Sequence, residues 1–319
     1  MRETDNIHEN NLYFDQAIVL KDLFNILWTA KKLIFGITAI FAISSLMYSL
    51  SLTNHYKSSS LLIARSASET NGLSQFSGLA AIAGVNIPSS VDDKAAQAIA
   101  LIKSRRFVKH LMTYENVLPS IIAAKNYNSV TKELLFDEKL YDSKTKSWKR
   151  KPAKNRPIIP TYLEAYEVYL NKTLSISQDN KTGFISINIE HVSPVFAKEF
   201  LDLIIRESNE LLRRKDMEES KQGLKYLTSE LSKTPLVEIK ESINALIEAQ
   251  LETQMLSQIN QDYILIKIEP PFIPEEKSKP SRSLICILGT MLGFVFSVLI
   301  VLIRHYLYTE GELSNQKDF

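Results

Sequence analysis

Residues 270–303 read PPFIPEEKSKPSRSLICILGTMLGFVFSVLIVLI, and the rest of the chain is organised around this stretch. Residues 284–303 carry no charge. At about 1.5 Å per residue, a helix of that length spans roughly 30 Å, the thickness of a bilayer core. Gly289, Gly293 and Ser297 recur at intervals of four and so lie on one helix face. Small residues at this spacing predict a membrane span that packs closely against another helix.

The segment in front of that span is rich in proline. Proline lacks a backbone N–H and is excluded from helix interiors and central strands. We therefore expect an extended strap that leads into the membrane. An ordinary linker before an ordinary anchor would explain the same residues. The prolines of this segment are Pro270, Pro271, Pro274 and Pro280.

A second charge-free run near the start of the chain predicts a second span. Lys31 and Lys32 precede this run and Arg304 follows the later one, which favours a cytoplasmic location for both ends. The region between the spans is then expected on the other side of the membrane. The predicted divisions are an N-terminal segment 1–32, a span 33–52, a domain 53–283, a span 284–303 and a tail 304–319.

The domain between the spans mixes strand and helix patterns. Residues 56–65 and 263–268 read as strands, and the runs 173–177 and 184–190 read as a hairpin. Because strand patterns adjoin both spans, we expect the sheet to be membrane-proximal. The predicted fold class is therefore α+β, with two terminal transmembrane helices, a membrane-proximal sheet and a long projecting helix.

The long helix is predicted over about 194–231, with Ser193 as N-cap and Pro194 in the first turn. Pro235 separates it from a second helix over about 236–260. A small domain cannot bury such a long apolar stripe, so we expect part of it to meet a neighbouring subunit, as in a coiled coil. The predicted oligomer face is formed by Leu224, Leu227 and Leu231.

Residues 137–156 carry eight basic and three acidic side chains. A basic loop can contact an acidic polysaccharide or lipid headgroups, and the candidates for such contacts are Lys149, Arg150 and Lys151. A solvated loop with no ligand is the favoured alternative.

Sequence motifs give no support for catalysis. The five histidines lack metal-binding spacing, and neither a glycine-rich phosphate loop nor a nucleophile elbow occurs. With 38 basic and 36 acidic residues, the chain also lacks the basic excess of a nucleic-acid binder. We therefore expect no enzyme activity, no metal, no cofactor and no nucleic-acid partner.

Several stretches resemble the Wzz-type polysaccharide co-polymerases, the chain-length determinants of bacterial surface polysaccharides. The proline-rich segment joined to the second span is the most specific of them. No kinase domain or tyrosine-rich tail follows residue 308, which favours the O-antigen class; Ser297 stands where a third glycine is expected. The other similar stretches are DLFNILWTAKKLI (22–34), FSGLAAIAGVNI (76–87), AIALIKSRRFV (98–108) and LSISQDNKTGFISINIEH (174–191).

The resemblance implies an inner-membrane homo-oligomer with a large periplasmic domain. Such a protein would act beside the membrane-embedded polymerase on lipid-linked polysaccharide and set the chain length of O-antigen lipopolysaccharide. The alternatives are a two-span co-polymerase component of capsule or exopolysaccharide export, and a periplasmic sensor ectodomain. A periplasmic adaptor of an export pump fits less well, because it would usually have one anchor.

Overall fold

The structure is a computed structural model that describes residues 25–65, 91–152, 156–179, 181–259 and 262–315, with backbone alone for 91–93 and 306–315. The chain divides into two compact units. The first unit comprises Met1–Leu52 with Lys279–Phe319, and the second comprises Thr53–Ser278.

Besides helical residues 25–29 and a π-helix at Tyr169–Thr173, the described residues form eight α-helices and nine strands. The helices are α1 Lys31–Ser51, α2 Val91–Ile102, α3 Arg105–Leu111, α4 Val117–Ala123, α5 Tyr162–Val168, α6 Pro194–Lys233, α7 Val237–Ile259 and α8 Arg282–Asn315. The strands are β1 His55–Ala64, β2 Ala124–Asn128, β3 Glu133–Phe136, β4 Tyr141–Asp142, β5 Ser147–Trp148, β6 Leu174–Gln178, β7 Phe184–His191, β8 Leu265–Glu269 and β9 Lys277–Lys279.

The first unit contains the two apolar helices. Lys31–Ser51 and Arg282–His305 are each long and apolar enough to cross a membrane. Most of their large apolar side chains are exposed in the single chain, as expected of helices whose surroundings are lipid. In front of α1, residues 25–29 are helical, and residues up to 24 lie outside the described part.

The second unit is built on a sheet of strand order β6–β7–β1–β8, with β9 paired to β1. The β6–β7, β7–β1 and β1–β8 pairings are antiparallel. On one face of the sheet, Leu62 of β1 lies opposite Ile185 of β7, and Ser60 lies opposite Ile187. All four side chains are buried, so this face belongs to the core while the alternating residues point away from it.

The hairpin predicted from residues 173–190 is confirmed. Strands β6 and β7 pair in register from Leu174 opposite Ile189 to Gln178 opposite Ile185. Gly183 has φ +72°, a conformation that glycine adopts without a side-chain clash. The backbone N–H of Asp179 donates to the Phe184 carbonyl over 2.9 Å and closes the turn.

Helix α6 covers the buried face of the sheet. The predicted N-cap is confirmed, because the Ser193 hydroxyl accepts from the Phe196 N–H over 3.2 Å and Pro194 occupies the first turn. Four fully buried side chains recur at helical spacing and complete the core with helices α2 to α5. They are Phe200, Leu201, Ile204 and Ile205.

Asn209 joins α6 to β8. Its side-chain amide donates to the Leu265 carbonyl over 3.0 Å and accepts from the N–H groups of Ile264 and Leu265, at 3.0 and 2.8 Å. Asparagine is a weak helix former, but here it satisfies three buried backbone groups that would otherwise lack partners.

Helix α6 has 40 residues, which corresponds to a length of about 60 Å. The predicted helix ended at residue 231, and the observed helix ends at Lys233, where Thr234 is the C-cap. The second predicted helix corresponds to α7, which returns alongside the second half of α6 and forms a helical hairpin with it.

The described part of the basic segment 137–156 contains a short hairpin, and most of its charged side chains are exposed. Strands β4 and β5 form a small hairpin in which Tyr141 lies opposite Trp148. The two rings are tilted by 59° with centroids 5.1 Å apart, and the Phe136 ring meets the Tyr141 ring edge-on with centroids 5.3 Å apart. These aromatic contacts stabilise the short hairpin within a segment that was predicted to be a solvated loop.

Candidate functional site

The two small residues of α8 that were predicted to pack against another helix lie against α1. A Cβ atom placed on Gly289 would lie 2.4 Å from the Cβ of Ser45, and one on Gly293 would lie 2.4 Å from the Cβ of Phe41. Carbon atoms normally pack at about 3.5–4.0 Å, so only glycine allows this approach.

The contact row continues along α8 beyond the glycines. Ser297 is fully buried and Val301 is 5 % exposed, although most of the helix surface is open. Phe296 stacks on Phe41 with ring centroids 6.0 Å apart. The pairs 45 with 289 and 41 with 293 show that α1 and α8 run antiparallel along one row of contacts.

The proline-rich segment up to Ser278 lies along β1 in the second unit, and Pro280 belongs to the first unit. Pro271 and Pro274 are buried, whereas Pro270 is exposed and Pro280 is half-buried. The Ser58 hydroxyl donates to the Phe272 carbonyl over 2.7 Å. Since proline cannot donate to a strand ladder, side-chain hydroxyls of β1 supply part of the bonding here.

Two further hydroxyl contacts hold the same segment. Ser60 donates to the Glu269 carbonyl over 2.6 Å, and Ser278 donates to the His55 carbonyl over 3.3 Å. The segment is therefore fixed to the sheet from the end of β8 to β9, and it does not hang as a free linker.

The helical hairpin has its own small core. Leu227 is 2 % exposed and packs with Ile243 and Leu246 of α7. Gly223 lies beside the Gln250 side chain at 3.5 Å, and the Ser220 hydroxyl donates to the Gln250 carbonyl over 2.7 Å. Small residues on α6 thus let α7 approach closely.

Of the predicted oligomer face, Leu224 and Leu231 are half-buried in the single chain and Leu227 is buried, so contact of this face with a neighbouring subunit stays a prediction. Leu227 is covered by the chain's own helix, and Leu231 packs against the same cluster. The helix after Pro235 is the partner that a single subunit offers this stripe, and α7 occupies that place. The apolar side chains that α7 leaves exposed include Val237 and Ile239 at its start and Leu251, Met255 and Ile259 towards its end.

The three basic candidates of residues 149–151 differ in their surroundings. Arg150 is 11 % exposed in its side chain and forms a double contact with the Glu164 carboxylate. It also donates to the carbonyls of Ile158, at 2.7 Å, and Pro157, at 2.8 Å. Lys149 pairs with Asp142 over 2.6 Å, and Lys151 is exposed. Arg150 therefore has a structural role in closing this segment.

Two carboxyl groups in this region have lowered pKa values because cations and N–H groups surround them. The Lys149 ammonium, with the N–H groups of Thr145 and Lys144, lowers the pKa of Asp142 to about 2. The Arg150 guanidinium holds the pKa of Glu164 below its usual value, and Glu164 also completes a capping box with Thr161 at the start of α5.

A polar cluster on α3 and α6 was missed by sequence reasoning. Glu207 is 7 % exposed, and its carboxylate lies 2.9 Å from His110 Nε2 and 3.2 Å from Arg206 Nε. Burial raises the pKa of Glu207, but hydrogen bonds from His110, Tyr114 and Arg206 outweigh it and hold the pKa below its usual value. His110 and Glu207 are far apart in the chain, so no local pattern could indicate the pair.

Within the described part of the chain, no group of three or more histidine, cysteine, aspartate or glutamate residues is arranged to hold a metal ion. The features that stand out are instead packing surfaces: the α1–α8 pair, the strap on β1 and the α6–α7 hairpin.

Comparison with known proteins supports one family. The family model of Wzz, described as chain length determinant protein, matches residues 16–114. This match confirms the resemblance to Wzz-type chain-length determinants over that segment. Together with the two apolar helices, it is consistent with an inner-membrane protein that has a periplasmic domain. No curated protein matches.

Two solved structures are similar to this chain at low identity. A "full-length bacterial polysaccharide co-polymerase" is 12% identical with a TM-score of 0.43, covering 90% of this chain and 98% of that chain. A fragment of WzzB, a polysaccharide co-polymerase from Salmonella Typhimurium, is 13% identical with a TM-score of 0.30, covering 71% of this chain and 100% of that chain.

Proposed function

We propose that this chain, whose residues 16–114 match the Wzz chain length determinant family, regulates the length of O-antigen lipopolysaccharide as an inner-membrane oligomer. The observation that carries the proposal is the family match. Its segment includes the first apolar helix and β1, the strand on which the proline-rich strap lies.

The proposed mechanism makes and breaks no covalent bond. The chain would act on the membrane-embedded polymerase that joins lipid-linked units, and its own helices and sheet would set when polymer growth stops. The absence of a phosphate loop and of a nucleophile elbow in the sequence supports this proposal.

The apolar surface left exposed on α7 supports assembly of several copies. Leu251, Met255 and Ile259 lie four residues apart on one face and are 47%, 60% and 73% exposed in the single chain. A row of this kind on a long helix is typical of a helix–helix interface. We infer that this row, rather than the one through Leu227, contacts a neighbouring subunit.

A gel of polysaccharide from a deletion strain tests the function. Restoring the gene should restore a modal chain length of O-antigen, and a change in capsule or exopolysaccharide alone would favour the export alternative. Met255→Glu should broaden the length distribution and abolish chemical cross-linking between copies. Gln258→Glu adds the same charge at an exposed polar position of α7 and should change neither.

Loss of all polymer in a stably folded Met255→Glu variant would indicate a direct role in bond formation and contradict the proposed mechanism. Unchanged cross-linking in that variant would remove α7 as the assembly surface while leaving the regulatory function in place.

The proposed topology has both chain ends in the cytoplasm and the second unit in the periplasm. An alkaline phosphatase fusion after Lys57 should be active, because that enzyme works only outside the cytoplasm, and a fusion after Tyr308 should be inactive. The reverse pattern would refute this topology.

A further inference from the structure

A cavity of about 610 Å³ lies inside the first unit, between the turn before α1 and the later part of α8. Its lining includes Thr29, Lys32 and Leu33 from the N-terminal side. Val301, Arg304 and His305 line it from α8.

The cavity lies where the close row of contacts between the two helices ends. Positions 289, 293, 297, 301 and 305 follow one another at intervals of four on α8, and their side chains grow from glycine through serine and valine to histidine. Glycine brings α1 to within contact of the α8 backbone, whereas the large side chains at the other end leave a space between the helices.

The lining is basic at one side and apolar at the other. Lys32 and Arg304 supply two permanent cations and Thr29 supplies a hydroxyl, while Leu33 and the buried Val301 form an apolar wall. Among the side chains that the structure describes, none that lines the cavity is acidic. An anionic group with an attached hydrocarbon chain is complementary to this combination.

The aromatic and basic residues beside the cavity are those of a membrane–water boundary. Trp28 is 61% exposed, and the Lys31 ammonium lies 4.8 Å from the centre of its ring. Tryptophan and lysine are enriched at the headgroup level of membranes. The cavity also adjoins the ends of both stretches that are apolar enough to span a bilayer, Lys31–Ser51 and Arg282–His305.

We propose that this cavity binds the headgroup of an anionic phospholipid, with the phosphate diester held by Lys32 and Arg304 and an acyl chain lying along Leu33 and Val301. The proposal rests on the membrane location in the proposed function. It assigns a lipid site to the α1–α8 pair, in addition to the chain-length function proposed above.

Tryptophan fluorescence provides a direct test, because the chain has only two tryptophans and Trp28 adjoins the cavity. With Trp148→Phe as background, the full chain is reconstituted in phosphatidylcholine bilayers that contain brominated phosphatidylglycerol or brominated phosphatidylcholine. Bromine quenches fluorescence only at close range. Quenching should favour phosphatidylglycerol by on the order of fivefold for each cation, and Lys32→Gln with Arg304→Gln should abolish the preference.

The neighbouring lysine gives a matched control. Lys31→Gln removes the same charge at the same depth, but Lys31 does not line the cavity, so the preference should persist. Equal losses with Lys31→Gln and Lys32→Gln would indicate general surface electrostatics and overturn the site. Lys32→Arg with Arg304→Lys keeps both charges and should keep the preference, which separates loss of binding from misfolding.

Inorganic phosphate distinguishes a lipid site from a simple anion site. At constant ionic strength, added phosphate should leave the quenching by brominated phosphatidylglycerol unchanged, and reversal of the quenching would overturn the lipid proposal. The assay measures binding alone, so a failed chain-length experiment with a positive quenching result would reject the proposed function and leave the lipid site standing.

Discussion

Replacing Gly289 or Gly293 by alanine should force α1 and α8 apart. The new Cβ would lie 2.4 Å from a Cβ of α1 in either case. Because carbon atoms pack at about 3.5–4.0 Å, the helices must separate by about 1 Å or more. Both obstructing atoms are attached directly to the α1 backbone, so a side-chain rotation cannot relieve the contact.

The expected cost is about 1–3 kcal/mol for each substitution, the usual range for an extra methyl group in a tightly packed site. Gly36 provides a matched control on α1, because a Cβ at that position would meet nothing within 4 Å. Gly36→Ala should therefore be neutral or slightly favourable to the helix.

The helix pair can be measured with an introduced disulfide. Continuing the spacing of the contacts 45 with 289 and 41 with 293 places Ile37 opposite Ser297, so we expect a Cys pair at these positions in a Cys286→Ala background to form a disulfide bond. The equilibrium constant for exchange of this disulfide with glutathione reports how strongly the helices hold the two thiols together. If the helix pair loses about 2 kcal/mol of packing energy, the equilibrium constant should fall about thirtyfold. If Gly289→Ala and Gly36→Ala gave the same constant, close packing at Gly289 would be refuted.

Three further predictions concern the second unit. Burial lowers the pKa of His191 from 6.5 to about 4. The free energy of unfolding should therefore fall by about 3 kcal/mol as the pH drops from 6.5 through 4. Chemical unfolding of His191→Asn should lack this pH dependence. Arg150→Ala should cost about 1–3 kcal/mol and speed proteolysis between residues 151 and 160, whereas Lys151→Ala should not. Leu227→Ala should lower the folding stability by about 2 kcal/mol or more and accelerate amide hydrogen exchange in α7 alone. Tyr226→Ala, at a half-exposed neighbouring position, should have little effect. Faster exchange in β7 as well would contradict an independent core in the helical hairpin.

Helices and strands with strong local signals could be predicted from the sequence. The serine and proline at 193 and 194 set the start of α6, because one side chain satisfies a free N–H and the other lacks an N–H that would need a partner. The turn of the β6–β7 hairpin was likewise marked by Gly183, whose positive φ disfavours other residues. In each case the physical cause acts within a few residues of the chain.

For the close approach of the two apolar helices, the sequence predicted the face on α8 but not the helix that packs against it. The spacing of Gly289 and Gly293 predicted a small-residue face, since that depends on helix periodicity alone. Their partners, Ser45 and Phe41, lie more than 200 residues away and carry no pattern that names them. Only the tertiary structure could identify α1 as the helix against which the face packs.

Burial of the leucine stripe and of the central basic residue was decided by tertiary structure. The sequence places Leu227 on an apolar stripe of α6, and only the tertiary structure shows that Ile243 and Leu246 of α7 cover it. Arg150 reads as one charge in a basic run until Glu164 and two carbonyls surround its guanidinium. The sequence determines the charge and size of a side chain and the helix or strand face on which it lies, and these properties limit what it can bind. The tertiary structure determines which partner it contacts, because that depends on packing between segments far apart in the chain.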